Sequence, residues 1–182
     1  METAGSPAPE ETISLRDGSP VRVRPIRPAD KAALSEAFQR LSEESRYQRF
    51  LSPLPELRPM DLVYLTEVDH HDHEALVAFD PDGAAVGVAR YVRWASQPEA
   101  AEFAVTVADD WQRRGLGTVL FDRLGARGRA EGVRRFTASV LAENHEMLGL
   151  LGKLGTFRVR RSAGAVVEVE GDLGEPDVSS RT

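Results

Sequence analysis

The stretch Trp111-Gln112-Arg113-Arg114-Gly115-Leu116-Gly117-Thr118 sets two arginines and two glycines between an apolar run ending at Val107 and a segment of helical periodicity. A glycine turn opening a helix leaves backbone N–H groups unpaired and attracts anions, so the chemistry it suggests is binding of a phosphate compound. A P-loop needs a lysine directly before its Ser or Thr, whereas Gly117 is followed at once by Thr118. A dinucleotide fingerprint needs a third glycine, and Leu120 stands in that place. The pattern that remains is Gln-x-x-Gly-x-Gly, filled by Gln112, Gly115 and Gly117 after Val105-Thr106-Val107.

Two further residues bear on chemistry. Glu102 opens the strand that leads into this loop and shares a side of the pleat with the small residues Ala104 and Thr106, so its carboxylate can face a cleft or simply solvent. Asn144 stands before a helical pattern, where its side chain suits an N-cap. His70-His71-Asp72-His73-Glu74 invites a metal reading, but no well-spaced further ligand accompanies it, and a polar loop before a strand is the plainer account. No metal is expected. Asp109 and Asp110 read as turn residues, and Trp94 and Trp111 as packing residues.

These residues need a scaffold, and the periodicities supply one. A β-hairpin is expected around Arg16-Asp17-Gly18-Ser19, flanked by Ile13, Leu15, Val21, Val23 and Ile26. Helices are expected from Asp30 through Leu41, over Ser42 to Phe50 and over Met60 to Thr66. Strands follow at Ala75 to Phe79 and Ala85 to Trp94, hinged at Asp80-Pro81-Asp82-Gly83, and at Glu102 to Val107. A helix from Leu116 to Ala130, a strand from Phe136 to Leu141, a helix from Asn144 to Leu154 and a hairpin of Phe157 to Ser162 with Val166 to Glu170 complete the pattern. Strand, helix and strand around the glycine loop make one parallel crossover. The ends, 1–12 and 174–182, lack apolar periodicity and read as disordered tails around a domain at 13–173.

With its Val-x-Val strand end, glycine loop and surrounding element order, the chain resembles the GNAT superfamily of N-acetyltransferases. The segments SEESRYQRFL, EALVAFD, AEFAVTVADDWQRRGLG and VLAENHEML are most similar to bacterial protein-lysine acetyltransferase domains. The resemblance implies an α/β (α+β) fold with a mixed, mostly antiparallel central sheet flanked by helices. It implies acetyl-CoA as co-substrate, its pyrophosphate on Gln112, Arg113, Arg114, Gly115, Leu116, Gly117 and Thr118, its pantetheine along Val105 and Val107, and a contact from Asn144. It also implies Glu102 as general base for a primary amine, a protein lysine ahead of a small amine, and places Tyr47, Arg46 and Arg49 at the border of the substrate side. The tyrosine that many members use as general acid is missing from residues 144–155, where His145 is the one group with a reference pKa of about 6.5. That gap keeps a non-catalytic acyl-CoA-binding regulator open as an alternative. Thr156 separates a Gly-Phe pair that the family usually keeps together, which suggests a small shift in the last strand's register.

Composition excludes several other classes. With 182 residues, 41% of them apolar, the chain is long enough to enclose one sizeable core and short for two, so a single domain is expected. A net charge of −6 argues against a nucleic-acid partner, and the absence of cysteine removes disulfides and thiolate nucleophiles. The arginines, 21 against 2 lysines, are spread along the chain rather than gathered in a patch. No apolar run approaches the roughly 20 residues of a membrane span, and the acidic, proline-containing start does not read as a signal sequence, so a cytoplasmic protein is expected.

Overall fold

The computed structural model describes residues 9–154 and 156–174. Its sheet has eight strands: β1 (Glu11–Ser14), β2 (Pro20–Pro25), β3 (His73–Phe79), β4 (Ala85–Trp94), β5 (Gln97–Val107), β6 (Arg135–Leu141), β7 (Phe157–Ala163) and β8 (Val166–Asp172). Five helices flank it: α1 (Lys31–Arg40), α2 (Glu43–Phe50), α3 (Pro59–Thr66), α4 (Leu116–Ala130) and α5 (His145–Leu154). The strand order is β1-β2-β3-β4-β5-β6-β8-β7. Every adjacent pair is antiparallel except β5 and β6, which run parallel because α4 carries the chain from one to the other.

The sheet separates two cores, and β3 shows how the sequence produces both. Successive side chains of a strand point to opposite faces, so Leu76 and Ala78 enter one core while Ala75, Val77 and Phe79 enter the other. A strand covered on both faces is apolar at nearly every position, and all of β3 after His73 is buried. The first core holds Leu116, Leu120, Phe121 and Leu124 of α4 with Leu151 of α5. The second takes Leu34 and Phe38 of α1 and Leu65 of α3, with Phe50 of α2 packed against it.

Several boundaries differ from the sequence reading, among them β3, which takes in His73 and Glu74 of the expected polar loop, and two others show strand pairing at work. β1 begins at Glu11, inside the stretch expected to be a tail, because Glu11 and Thr12 pair with Val23 and Arg22. The rest of that expected tail and most of 174–182 lie outside the described residues. β5 begins at Gln97 rather than Glu102, since the turn at Ala95-Ser96 returns the chain directly against β4, and Trp94 pairs with Gln97. Pairing with β4 there overrides the weak strand propensity of Gln97-Pro98-Glu99. A register irregularity falls between Val159 and Arg161 of β7, further along the chain than the Thr156 position that suggested one.

Phe136 of β6 anchors the first core. It is fully buried, and its ring lies 5.4 Å from Phe103, 5.8 Å from Tyr91 and 5.9 Å from Phe121 between centroids. Phe136→Ala is expected to lower stability by about 3–5 kcal/mol, read as a shifted midpoint in urea unfolding with an unchanged slope.

Candidate active site

The ladder between β5 and β6 is short. It joins Ala100, Ala101 and Glu102 to Arg135, Phe136 and Thr137 and goes no further. Beyond it the backbone polar groups are left facing each other across a gap, as the neighbouring ladders establish. Ala108 N–H donates to the Val86 carbonyl at 2.9 Å, so in the antiparallel β4–β5 register residues 108, 106, 104 and 102 turn their polar groups toward β4. Phe103, Val105 and Val107 therefore turn theirs toward β6. On β6, Leu173 N–H donates to the Arg134 carbonyl and Ala142 N–H to that of Ala165, which turns Ser139 and Leu141 toward β5 by the same alternation.

A cleft of about 410 Å³ occupies this gap. Val105, Val107, Ser139, Asn144 and Gly117 border it, together with Arg16, Arg49, Arg113 and Lys153, so most of the charges around it are positive. The start of α4 forms one end. Gly115 is its N-cap at φ +91°, a left-handed conformation that suits glycine, and Arg113 before it has φ +61°. The first intrahelical bond runs from Val119 N–H to the Gly115 carbonyl at 3.1 Å, which leaves the N–H groups of Leu116, Gly117 and Thr118 at the open helix end.

The two glycines serve different ends. Gly117 has no positive φ, and a Cβ there would meet only Val107 and Leu150 side-chain carbons at 3.8 and 3.9 Å, ordinary contact distances. Neither backbone conformation nor internal packing requires glycine at 117. Both of those residues border the cleft, so a Cβ at 117 would stand at its edge beside the open N–H groups.

The remaining expected cofactor residues divide between the cleft and its support. Gln112 borders the cleft, yet its amide is already donating to the Val107 carbonyl at 3.1 Å, so it closes the end of β5. Arg114 turns away: its guanidinium lies 4.8 Å over the Trp111 ring and 3.4 Å from Asp17, and it does not border the cleft. Leu116 places its side chain in the core and has only backbone to offer. Asn144 caps α5 by accepting from Met147 N–H at 3.1 Å while bordering the cleft.

Glu102 is exposed and does not line the cleft proper. It is the last β5 residue paired with β6, on the face that carries α1 to α3, so its carboxylate stands at the vertex where the strands part. Arg16 was not anticipated. Its N–H donates to the Arg114 carbonyl at 3.4 Å, which brings the β1–β2 turn to the glycine loop, a contact between distant segments that no local pattern announces. Asp109 does more than turn the chain. It accepts from Ser42 N–H at 3.0 Å and from the Ser42 and Ser45 hydroxyls at 2.8 Å, tying α2 to the loop. Partial burial would raise its pKa, but these bonds hold it below the usual carboxylate range. Trp111 packs against the first core, whereas Trp94 is exposed and donates to the Thr137 hydroxyl at 3.1 Å.

The three histidines between residues 70 and 73 are engaged with other side chains, whereas His145 borders the cleft. His70 pairs with buried Glu74 at 2.7 Å, His71 with Glu131 at 2.7 Å, and His73 Nε2 lies 3.0 Å from Arg90. Among the described residues no three His, Asp or Glu side chains converge on a metal position. Likewise among them, no helix is long and apolar enough to cross a membrane.

A parted parallel pair with a helix N-terminus at its mouth offers backbone groups of a strand edge along one half and unpaired N–H donors along the other. Residues 35–156 match the Acetyltransferase (GNAT) family, and the chain belongs to this family of acetyl-CoA-dependent N-acetyltransferases. It is 35% identical over 156 residues to acetyltransferase Pat of Mycolicibacterium smegmatis, covering 85% of this chain and 46% of that protein. It is also 35% identical over 145 residues to an acetyltransferase of Pseudomonas aeruginosa, covering 78% of this chain and 77% of that protein. Among solved structures, the GNAT domain of S. lividans PAT superposes with a TM-score of 0.84 at 34% identity, covering 90% of this chain and 96% of that one. The chain spans about half the length of the mycobacterial relative.

Gly117→Ala is expected to melt no lower than the parent, since alanine is the better helix former, yet to bind acetyl-CoA at least about tenfold more weakly by calorimetry. A second expectation concerns pH. Burial and then the Arg90 charge pull the His73 pKa from 6.5 down to about 4, against Asp69 and Glu74. The unfolded chain takes up this proton first, so the stability His73 contributes is complete above its unfolded value and is lost as pH falls toward about 4. The melting temperature should drop through that window, and drop less in His73→Gln.

Proposed function

We propose that this chain transfers the acetyl group of acetyl-CoA to a primary amine, a protein lysine side chain, by direct attack with Glu102 as general base. The observation that carries the proposal is the parting of β5 and β6 immediately after the Glu102–Thr137 pair. It gives an extended co-substrate a free strand edge and sets a carboxylate at the vertex. The resemblance of SEESRYQRFL, AEFAVTVADDWQRRGLG and VLAENHEML to bacterial protein-lysine acetyltransferase domains favours a lysine acceptor.

The chemistry follows from the positions. The pantetheine arm pairs with the free edge at Val105 and Val107, and the pyrophosphate sits on the N–H groups of Gly117 and Thr118 with Arg113 beside it. A lysine ammonium has a pKa of roughly 10.4, so a proton must leave before attack. Glu102 takes it, directly or through a water molecule, and the amine nitrogen adds to the thioester carbonyl carbon. The oxyanion forms beside the inward N–H groups of β5, and collapse of the intermediate expels the thiolate.

A second reading, an acyl-CoA-binding protein without turnover, draws on α5, which borders the cleft without a tyrosine. Glu102→Gln separates the two. As an enzyme, the chain should lose about 10²–10⁴-fold in kcat at neutral pH while keeping its affinity for acetyl-CoA, and regain part of the rate as pH rises toward the amine's own pKa. Release of CoA thiol with a panel of lysine peptides measures it. An unchanged rate in Glu102→Gln removes Glu102 from the mechanism, and no thiol release from the parent favours the binder.

A further inference from the structure

Five polar or charged residues are buried in the described structure: Asp30, Thr66, Glu74, Arg90 and Glu170. Three of the four charged ones meet an opposite charge: Asp30 meets Arg24 at 2.7 Å, Glu74 meets Arg127 at 3.0 Å, and Glu170 meets Arg158 at 2.9 Å. Arg90 is the exception. It is 5% exposed, and its guanidinium reaches only the His73 ring, at 3.0 Å, and the Leu65 carbonyl, at 3.1 Å. Among the described residues no carboxylate lies within 4.0 Å of it, nor of Arg49 on α2. Buried charges in proteins are ordinarily paired, so an arginine left in this state marks a place for an anion that the described residues do not supply.

The space for that anion is present. A cavity of about 60 Å³ beneath α1 to α3 is bordered by Arg49, Arg90 and the Thr106 side, with apolar walls that include Leu57, Leu65 and Val88. It takes a group of a few heavy atoms. Arg49 and Thr106 also border the large cleft, so the two spaces adjoin on the face that carries Glu102. Burial, then the Arg49 charge, hold the Arg90 pKa down to about 9, while burial lowers that of Arg49 against the charge of Glu102, so the one acid acting on the pair faces Arg49 and not Arg90.

We propose that Arg49, Arg90 and Thr106 form a receptor for a carboxylate carried by the acceptor close to the amine that is acetylated. The planar guanidinium groups match a carboxylate's two oxygens, the Thr106 hydroxyl adds a donor, and the apolar walls take the methylene that bears the acid. This proposal rests on the acyl-transfer reading and names the acceptor class for the same site. The acid can belong to a residue beside a lysine in a peptide or to a free amino acid.

The test uses the full chain with acetyl-CoA and matched acceptors: lysine peptides with a glutamate or a glutamine neighbour, and free amino acids against their decarboxylated amines. In the parent, kcat/KM for the acidic member of the preferred pair should exceed that of its partner by about tenfold or more, the effect of one charge-assisted hydrogen bond. The pair that shows it identifies the source. In Arg90→Gln and Arg49→Gln the ratio should fall to near one, and Arg49, on the half-buried helix α2, serves if the Arg90 variant does not fold. A parent ratio of one among acceptors that are turned over, or a ratio unaltered in both variants, overturns the proposal. Thermal melting gives a readout independent of turnover: acetate, against chloride at equal ionic strength, should raise the parent's Tm but not that of the variants. If no acceptor is turned over while this increment is present and lost in the variants, the receptor stands and the acyl-transfer reading falls. If neither turnover nor increment is found, the receptor falls as well.

Discussion

Two parallel strands that stop pairing while still side by side leave backbone N–H and C=O groups facing a gap. Such groups must find partners, because an unpaired backbone polar group held away from water is unfavourable by an amount comparable to a lost hydrogen bond. In this protein the gap opens after Glu102 and Thr137, and the surrounding structure holds it open. β4 and β8 retain β5 and β6 from their outer sides, so neither strand can swing inward to close the ladder. Gln112 satisfies one inward carbonyl, that of Val107, and water or a ligand with its own amide groups must satisfy the others.

The two ends of the gap are built by elements that differ in kind. At the mouth, α4 presents the positive end of its dipole and three unpaired N–H groups, with Gly117 at the edge of the cleft. The β1–β2 turn and α2 brace this end through the Arg16 N–H and the Asp109 carboxylate. At the vertex, side chains on the α1 to α3 face take over: Glu102 at the surface, and beneath that face Arg49 and Arg90 in a largely apolar setting. In the proposed mechanism, pyrophosphate binding and amine chemistry fall at opposite ends of one opening, which keeps the helix dipole away from the carboxylate proposed to accept a proton.

Much of the fold was legible because its elements follow their local patterns closely. β3 reads as a strand covered on both faces, α4 as an amphipathic helix opened by glycine, and the parallel crossover follows from their order. The departures arise where pairing overrides propensity. Gln97 to Ala101 are strand because β4 lies beside them, and Glu11 and Thr12 because β2 does. Within the site, the glycine loop and Asn144 were readable from local spacing. Arg16 and Arg90 were not, since what brings them to their places is contact with segments far away in the chain.

The sequence by itself determined the family, the element order, the glycine turn and the presence of a carboxylate before it, because those depend on residues within a few positions of one another. Tertiary structure alone decided which of those residues face the gap. It assigned Gln112 to β5, turned Arg114 toward Asp17, gave Gly115 a conformational role and set Gly117 at the edge of the cleft. It also left Arg90 buried with no acid among the described residues within ion-pair distance, a condition that belongs to three-dimensional surroundings, since charge pairing in a protein interior depends on distance in space and not on separation along the chain.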